Sequence, residues 1–449
     1  MDTLFPSTVM VVINGFMPLF SARVGVYFKG FMVAAMLLGQ SRKCVTNIAQ
    51  VCFFIDRHIS SWERFLSHYP WTLSVLHTQV VARIRDQMGK QLCVHGAVLG
   101  WVDTTLVAKV RGKMPGVQKW HDHSGNPDRG GSLIGHHWAL AGIVCTAVVA
   151  GGLVPVCWPL LARLISGHGN RLGFVVNAQG VAQAMTFWDA VCPALVELQT
   201  LFSGMPFRVV ADAYFAKATF VNRMRDRGIH VITRMRHDAV GWDDPTPDAV
   251  EKKRPGPKRK HPKRGTKWTL AHFLESLPHQ RVSVWLYGKR QTLTMVTRDM
   301  WIRGVTCQKV RVVVVKTTGR AVILLCTDLT LSPRVIVESY GLRFPAELGI
   351  RNLKQFFGLG DYQCTGLLSI TRFVGLSLIS YCVWQLVQLH DEEAEWLATQ
   401  DSGRAPLSMA RLSRAVRRYT VGKLFAKSAC SGEFQDVTAM SEQVNRLFV

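Results

Sequence analysis

The chain has 449 residues and carries 54 Lys and Arg against 30 Asp and Glu, a formal net charge of +24. Apolar residues make up 48% and charged residues 19%, a globular composition that excludes a disordered chain. The 11 cysteines contain no Cys-x-x-Cys pair, which argues against a zinc ribbon and a complete disulfide framework. So large a positive charge points first to nucleic acid as the partner, and only then to a membrane surface.

The N-terminal part of the chain, residues 1–92, is predicted to be helical. Apolar residues recur with helical periodicity over residues 20–38, 41–54 and 61–88. No specific helix-turn-helix signature is present. We interpret this region as a helical DNA-binding or dimerisation region, and a purely structural scaffold stays open as the alternative.

Residues 93–236 alternate between predicted strands and helices. The predicted strands cover residues 97–103, 138–148, 153–159, 207–212 and 230–236, and the predicted helices cover residues 181–202 and 217–227. The order predicts an α/β fold of the RNase H-like class, a mixed sheet with flanking helices whose first and fourth strands lie side by side. Asp103 and Asp212, which end those two strands, are therefore expected to lie close together although 109 positions separate them.

Two apolar stretches, residues 141–162 and 366–389, have the length of a membrane span. The first is interrupted by Gly151-Gly152 and two prolines, which is typical of two buried strands joined by a turn. The second carries Arg372 near its start, which favours a buried core helix. We therefore expect no membrane partner.

A β-rich insertion with a basic arm is predicted for residues 237–335. Nine of the sixteen residues 252–267 are Lys or Arg, and prolines between them keep the segment extended. The alternative is a solvated linker. The residues of the arm that we expect to contact DNA are Lys258, Arg259, Lys260, Lys263 and Arg264.

After the insertion, residues 336–392 are predicted to complete the core and residues 393–449 to form a basic helical C-terminal region. The core segment contains Tyr340, Arg343, Glu347 and Lys354, which fit the pattern Tyr-x2-Arg-x3-Glu-x6-Lys. A chance match at this spacing is on the order of one in a thousand. Pro345 suits the first turn of a helix, where the helix dipole favours an ionised Glu347.

Arg351 and Lys354 are expected on the same helix face as Glu347, since they follow it at helical spacing. Two aspartates at strand ends and a glutamate on a helix satisfy the need of two-metal phosphodiester chemistry for clustered acidic ligands. Asp122, Asp128 and Glu338 are alternative acids nearby in the sequence.

A histidine-rich stretch offers a competing site. His121, His123, His136 and His137 could suggest zinc, but no cysteine completes a usual ligand spacing, so we interpret them as solvated loop histidines.

The three acidic blocks together resemble a DDE-superfamily transposase of a bacterial insertion sequence, in the group with the Tyr-Arg-Glu-Lys signature. The blocks are Asp103 in Val-Asp-Thr-Thr, Asp212 in Val-Val-Ala-Asp-Ala-Tyr-Phe, and the segment 340–354. The resemblance implies that Asp103, Asp212 and Glu347 bind two Mg²⁺ or Mn²⁺ ions. It also implies that Tyr340, Arg343 and Lys354 contact the DNA backbone at the transposon end.

The same resemblance implies metal-dependent cleavage at transposon ends followed by strand transfer into target DNA. It further implies a homodimer that holds two DNA ends, a cytoplasmic, nucleoid-associated location, and an aromatic residue of the insertion that stacks on a flipped base. Trp285 and Trp301 are the candidates for that residue, and packing in the core is the expected role for either. Other open interpretations are a transposase-derived DNA-binding protein without cleavage activity and another RNase H-like nuclease.

Overall fold

A computed structural model describes the chain over residues 3–109, 114–122, 131–149, 152–165, 174–176, 182–184, 187–244, 266–302, 305, 308–319, 321–390 and 408–430. The chain divides into two compact units. The first comprises Met1–Leu92, Thr104–Ala194 and Pro345–Val449, and the second comprises Cys93–Asp103 and Leu195–Phe344.

The first unit begins with five helices: α1 (Ser7–Asn14), α2 (Ala22–Leu38), α3 (Val45–Val51), α4 (Ile59–Ser67) and α5 (Leu73–Met88). The prediction of one continuous helical segment over residues 61–88 was wrong, because α4 and α5 are separate. Pro70 lies between them, and proline disfavours helical backbone at the residue before it. Trp71 follows, and its indole N–H donates to the Phe65 carbonyl at 2.7 Å.

A long antiparallel hairpin forms the β part of the first unit. Strands β4 (Ser132–Val149) and β5 (Gly152–Ile165) pair over most of their length, which confirms the prediction of two strands in place of a membrane span. The short strand β3 (Gln118–His121) also pairs with β4, through residues 132–135. Two further short strands, β6 (Phe174–Val176) and β7 (Ala182–Ala184), pair with each other.

The predicted helix at residues 181–202 begins later, since α6 covers Phe187–Leu201 and Ala182–Ala184 is a strand. Three more helices follow in the sequence of the first unit: α10 (Phe344–Phe356), α11 (Leu367–Leu389) and α12 (Met409–Cys430). The first residue of α10, Phe344, is counted with the second unit.

Helix α11 is the core of the first unit. Its apolar residues face all directions, as in a helix that is surrounded by protein, and it packs against α1, α2, α4, α5 and β5. Within the described residues it is the one helix long and apolar enough to cross a membrane, but 83% of its apolar window is buried inside the protein. Such burial is typical of a core helix.

Arg372 is buried in this core and is bound by backbone carbonyls. One guanidinium nitrogen donates to the Leu66 carbonyl at 3.2 Å and the other donates to the Trp71 carbonyl. Its guanidinium carbon also lies 4.4 Å from the centre of the Trp71 ring. Because a buried cation is costly unless it is paired, these contacts explain how the helix keeps an arginine.

The second unit contains a large mixed sheet with flanking helices. Its strands are β1 (Cys93–Val94), the first part of β2 (Ala97–Ala108), β8 (Phe207–Ala211), β9 (His230–Arg234), β10 (Val240–Trp242), β11 (Lys267–Thr269), β12 (Gln280–Leu286), β13 (Lys289–Ile302), β14 (Val310–Val315) and β15 (Val322–Cys326). The order across the sheet is β11-β10-β13-β14-β15-β9-β8-β2, and β12 pairs with β13. The helices are α7 (Ala218–Arg225), α8 (Phe273–Ser276) and α9 (Pro333–Gly341).

Strand β8 lies between two parallel neighbours. It pairs in parallel with β2 through Trp101↔Val210 and with β9 through Ala211↔Thr233. The expected pairing of the first and fourth core strands is thus confirmed. All three strands have buried apolar residues at their centres, which is typical of parallel strands covered on both faces.

The strands predicted as an insertion continue this sheet. Strand β15 pairs antiparallel with β9, and β14 and β13 follow it outward. Helix α9 packs across β8, β9, β14 and β15. Its N-cap is Ser332, whose hydroxyl accepts from the Val335 N–H. Tyr340 lies near the end of the helix, and Arg343 follows it.

Candidate active site

Asp103 and Asp212 occupy matching positions on neighbouring strands of the second unit. The parallel ladder ends at Trp101↔Val210, and each aspartate lies two residues beyond its member of that pair. Neighbouring strands are about 4.8 Å apart, so this register brings the two carboxylates to the same edge of the ladder. Strand β2 itself continues to Ala108, so the prediction that it ends at Asp103 was wrong.

Asp212 is fixed by the turn that follows β8. Its carboxylate accepts a hydrogen bond from the Tyr214 N–H at 2.9 Å, which caps a short 3-10 turn. Its own carbonyl accepts from the Thr233 hydroxyl at 2.6 Å. Both bonds restrict the backbone at Asp212, so its carboxylate is held at the strand end in a defined orientation.

Arg343 lies against the first aspartate. Its guanidinium pairs with the Asp103 carboxylate at 3.3 Å, and the two side chains are 16% and 22% exposed. The guanidinium also hydrogen-bonds the hydroxyl of Tyr340. Two of the four residues of the predicted signature therefore stand beside an aspartate of the candidate site.

Tyr340 interacts electrostatically with Asp212. Burial raises the pKa of Tyr340, and the negative charge of Asp212 acts in the same direction, whereas Arg343 and Arg234 oppose it. Its hydroxyl is therefore neutral near pH 7, where it can donate or accept a hydrogen bond. The second unit thus gathers Asp103, Asp212, Tyr340 and Arg343 in one place.

The third acid of the prediction begins a helix of the first unit. Glu347 lies in the first turn of α10, and Arg351 and Lys354 follow it on the same face. All three side chains are exposed, whereas the opposite face buries Leu353 and Phe356. The expected arrangement of one acid beside two cations on one helix face is confirmed.

Helix α10 is tied to the second half of β2 within the first unit. The Lys354 ammonium donates to the Leu106 carbonyl at 3.1 Å. The Lys109 ammonium donates to the carbonyls of Gly360 and Tyr362, at 2.6 and 2.7 Å, in the loop after the helix. Burial lowers the pKa of Lys109 to about 8. The second half of β2 therefore fixes both the helix and the loop that follows it.

The alternative acids have different surroundings. Glu338 is 5% exposed, and its carboxylate accepts from the Trp285 N–H at 2.8 Å and from Arg334 at 2.9 Å, so a metal ion would have to displace both donors. Asp122 follows the short strand β3 in the first unit and is partly buried. Asp128 lies outside the described residues.

The interpretation of the histidines as solvated loop residues was wrong for His137, which is half-buried in β4, and for His136. This side chain is fully buried in β4, where one ring nitrogen is 2.6 Å from the Tyr362 hydroxyl and the other is 2.9 Å from the Pro115 carbonyl. Burial lowers the pKa of His136 to about 4, so it is neutral at pH 7. His121 is exposed at the end of β3, and His123 lies outside the described residues.

The five basic residues predicted for the arm lie outside the described residues, but the strands at both ends of the arm are described. Strands β10 and β11 pair antiparallel, and the Asp243 N–H donates to the Thr266 carbonyl at 3.0 Å. Arg298 binds the Asp243 carboxylate with two nitrogens, at 2.7 and 2.9 Å. The arm therefore starts and ends at one hairpin of the second unit.

The two tryptophans of the predicted insertion differ in exposure. Trp285 is 48% exposed, so the expectation of core packing was wrong for it, because β12 is an outer strand of the sheet. Trp301 is partly buried, and its indole N–H donates to Asp244 at 2.9 Å.

Arg234 and Lys217 were not predicted as site residues. Arg234 ends β9 one position after Thr233, which pairs with Ala211, so it lies beside Asp212. The Lys217 ammonium lies 3.9 Å from the centre of the Tyr214 ring, in the turn that Asp212 caps. The sequence signal for Arg234 was a basic residue at the end of the strand that follows Asp212. Only the register between β8 and β9 shows that this residue lies beside Asp212.

The donor chemistry of the two aspartates fits a hard divalent cation. Mg²⁺ and Mn²⁺ prefer carboxylate oxygens, and Asp103 and Asp212 supply them from a rigid sheet. Over the described ranges, no group of three or more His, Cys, Asp or Glu side chains has the spacing of a metal site. In the second unit Arg343 pairs with Asp103, and Arg234 and Lys217 lie near the strand end that carries Asp212.

Comparison with known families agrees with this geometry. The family model described as DDE superfamily endonuclease matches residues 16–292, which is more than half of the chain. The matched part includes Asp103 and Asp212 and ends before Tyr340. No curated protein matches the chain. With two strand-borne aspartates in register inside a match of this extent, the chain belongs to the DDE superfamily endonucleases.

Proposed function

We propose that this endonuclease is a cut-and-paste transposase of a bacterial insertion sequence. It cleaves DNA at the ends of its element and joins the freed ends to target DNA. The observation that carries the proposal is the register of β2 and β8, which brings Asp103 and Asp212 together with Tyr340 and Arg343 beside them. Family membership alone supports a nuclease, and the Tyr-Arg-Glu-Lys spacing supports the narrower assignment.

Asp103, Asp212 and Glu347 are proposed as the ligands of two Mg²⁺ or Mn²⁺ ions. Chain connectivity supports Glu347 as the third ligand, because it follows Arg343 by four residues, which span at most about 14 Å.

The DNA backbone is proposed to bind the cations of this region. Arg343 presents a planar guanidinium that suits a phosphate, and Tyr340 adds a hydroxyl. Arg351 and Lys354 add two exposed charges on α10. The basic arm supplies further charge through Lys258, Arg259, Lys260, Lys263 and Arg264.

The proposed reaction is a direct displacement at phosphorus. Divalent ions held by these carboxylates would supply Lewis acidity for the attacking oxygen and for the leaving 3′ oxygen. The protein holds the carboxylates on a rigid sheet and the phosphate on Arg343 and Tyr340, so that the reacting strand stays in line. Water first releases a 3′-OH at the element end, and that hydroxyl attacks the opposite strand to form a joined end. A second water then opens the joined end, and the 3′-OH that this frees attacks the target.

The exposed Trp285 is the better candidate for stacking on a flipped base, since Trp301 is partly buried and bound to Asp244. The rest of the proposal follows the resemblance. It comprises an RNase H-like core, a DNA-binding or dimerising role for helices α1 to α5, a homodimer that holds two ends, and a cytoplasmic, nucleoid-associated location.

The fate of the cut ends tests the proposed sequence of steps. DNA with the inverted repeats that flank the gene is labelled at both strands and incubated with the enzyme and Mn²⁺. We expect a nick at the element boundary first, followed by a product whose two strands stay joined on a denaturing gel. Free double-strand breaks with unjoined ends contradict attack on the opposite strand, and binding without any cleavage supports a DNA-binding protein.

A further inference from the structure

Glu338 is a buried carboxylate that the proposed chemistry does not use. It lies on α9 with 5% of its surface exposed. One carboxylate oxygen accepts from the backbone N–H of Trp285 at 2.8 Å and from the Arg334 guanidinium at 2.9 Å. The other oxygen is 3.2 Å from the ring of His95. A buried carboxylate is costly to desolvate, and an apolar residue of similar size packs at least as well. Glu338 therefore contributes through the direction of these bonds and not through burial.

The partner of this carboxylate is the free edge of an outer strand. In the described part of the chain, β12 pairs on one side with β13, and its other edge faces α9. Unpaired N–H groups on such an edge need an acceptor. Glu338 supplies it at Trp285, and the close approach of Leu286 to Gly341 brings the strand against the end of α9.

The hairpin held in this way carries exposed aromatic side chains. Trp285 is 48% exposed and Tyr287 is 69% exposed. Tyr287 and Gly288 have φ angles of 53° and 77°, so they form the two-residue turn of the hairpin. The Tyr287 ring lies edge-on to Phe344, with 6.0 Å between ring centres. Phe344 itself directly follows Arg343.

The same carboxylate also contacts the turn before β2. His95 has a φ of 49°, a left-handed conformation that glycine or asparagine adopts more easily. Its ring points to Glu338, and its carbonyl accepts from Arg208 at 3.0 Å. Glu338 therefore joins three elements: the hairpin with Trp285, helix α9 with Tyr340 and Arg343, and the turn that starts the strand of Asp103.

We propose that Glu338 is a positioning residue that fixes the aromatic tip of the β12–β13 hairpin relative to Tyr340 and Arg343. The DNA end is then held by aromatic side chains on one side and by the guanidinium on the other. The inference rests on the proposed function. Glu338 affects the cleavage step indirectly, because it holds Trp285 in position.

A double-mutant cycle tests this coupling on the full chain. Glu338→Leu fills the same space but has no oxygen that can accept a hydrogen bond. Trp285→Ala removes the indole ring but keeps the backbone N–H that Glu338 binds. We expect each single variant to lower kcat for cleavage of end DNA about tenfold with little change in KM. The double variant is expected to be no slower than the slower single variant. Glu338→Gln, which keeps an acceptor oxygen, is expected to restore most of kcat.

Matched variants separate positioning from folding. Asp328→Asn changes another buried carboxylate, one that is 7% exposed and binds Thr330 and Arg208. It is expected to lower Tm as much as Glu338→Leu but to leave kcat within about twofold. If Glu338→Leu does not fold, Arg334→Ala tests the positioning role instead, because it removes the exposed partner of Glu338. Its expected loss of kcat is threefold, about 0.7 kcal/mol.

The outcomes distinguish this inference from the proposed function. Wild-type enzyme that does not cleave end DNA contradicts the proposed function. Cleavage by wild type with multiplicative losses in the cycle, or with equal losses in Glu338→Gln and Glu338→Leu, contradicts the positioning role. The same holds when Asp328→Asn slows cleavage as much as Glu338→Leu does.

Discussion

Asp103→Asn and Asp212→Asn each lower metal-dependent cleavage by on the order of 10³-fold, while DNA binding stays near the wild-type value. The size of this loss is that expected when one preorganised electrostatic group is removed from a transition state. Asparagine keeps the shape of the side chain but removes the negative charge that holds a divalent ion. The measurement is single-turnover cleavage of end-labelled DNA beside a gel-shift titration.

The matched control for the two aspartates is Asp122→Asn. Asp122 follows β3 in the first unit, outside the β2–β8 ladder, so its change is expected to leave the cleavage rate within about threefold. An equal loss in Asp122→Asn, or normal cleavage by Asp212→Asn, contradicts the assignment of the two strand-borne aspartates.

Arg343→Ala weakens binding of end DNA about 10- to 100-fold, the loss expected for one well-placed phosphate contact. The plot of log K against log salt concentration is expected to become shallower by about one unit, because one fewer counterion is released. Cleavage at saturating DNA falls as well, since the scissile phosphate loses its guanidinium. The measurement is a salt series of fluorescence-anisotropy titrations together with saturating cleavage rates.

Two variants make the result with Arg343 specific. Arg343→Lys keeps the charge but loses the planar pair of donors, so it should restore the salt dependence without restoring the full cleavage rate. Arg236→Ala removes an arginine that is 82% exposed, and it is expected to change affinity less than threefold. Equal effects of Arg236→Ala and Arg343→Ala contradict a specific phosphate contact at Arg343.

The pairing of the two aspartate strands could be predicted because each strand contains a short apolar run that an acid directly follows. The continuation of β2 past Asp103 could not be predicted from hydrophobicity. Thr104 and Thr105 are polar, although their β-branched side chains favour extended backbone. The break between α4 and α5, in contrast, was visible in the sequence as Pro70.

The surroundings of the site depended on contacts between residues distant in sequence. The pairing of β15 with β9 makes the strands of the predicted insertion part of the sheet, and no local pattern indicates which strands pair. Glu338 appears in the sequence as one more acid on a helix. Its burial follows from the edge of β12, which lies some fifty residues earlier in the chain.

The Tyr-Arg-Glu-Lys block was the strongest sequence signal because all four residues match a fixed spacing that rarely occurs by chance. The block predicted the shared exposed face of Glu347, Arg351 and Lys354 in α10. The contact of Arg343 with Asp103 needed the fold, since 240 positions separate the two residues. Sequence thus identified the chemical groups, and the register of the sheet explains how two of them come together.

The most direct test of the account compares wild type with Glu347→Gln on labelled DNA that carries the flanking ends, with and without Mg²⁺ or Mn²⁺. The account predicts metal-dependent nicking at the element boundary by the wild type. It predicts loss of that nicking in Glu347→Gln with DNA binding retained. Metal-dependent nicking that persists in Glu347→Gln, or nicking by wild type without a divalent ion, contradicts the assignment of a three-carboxylate metal site.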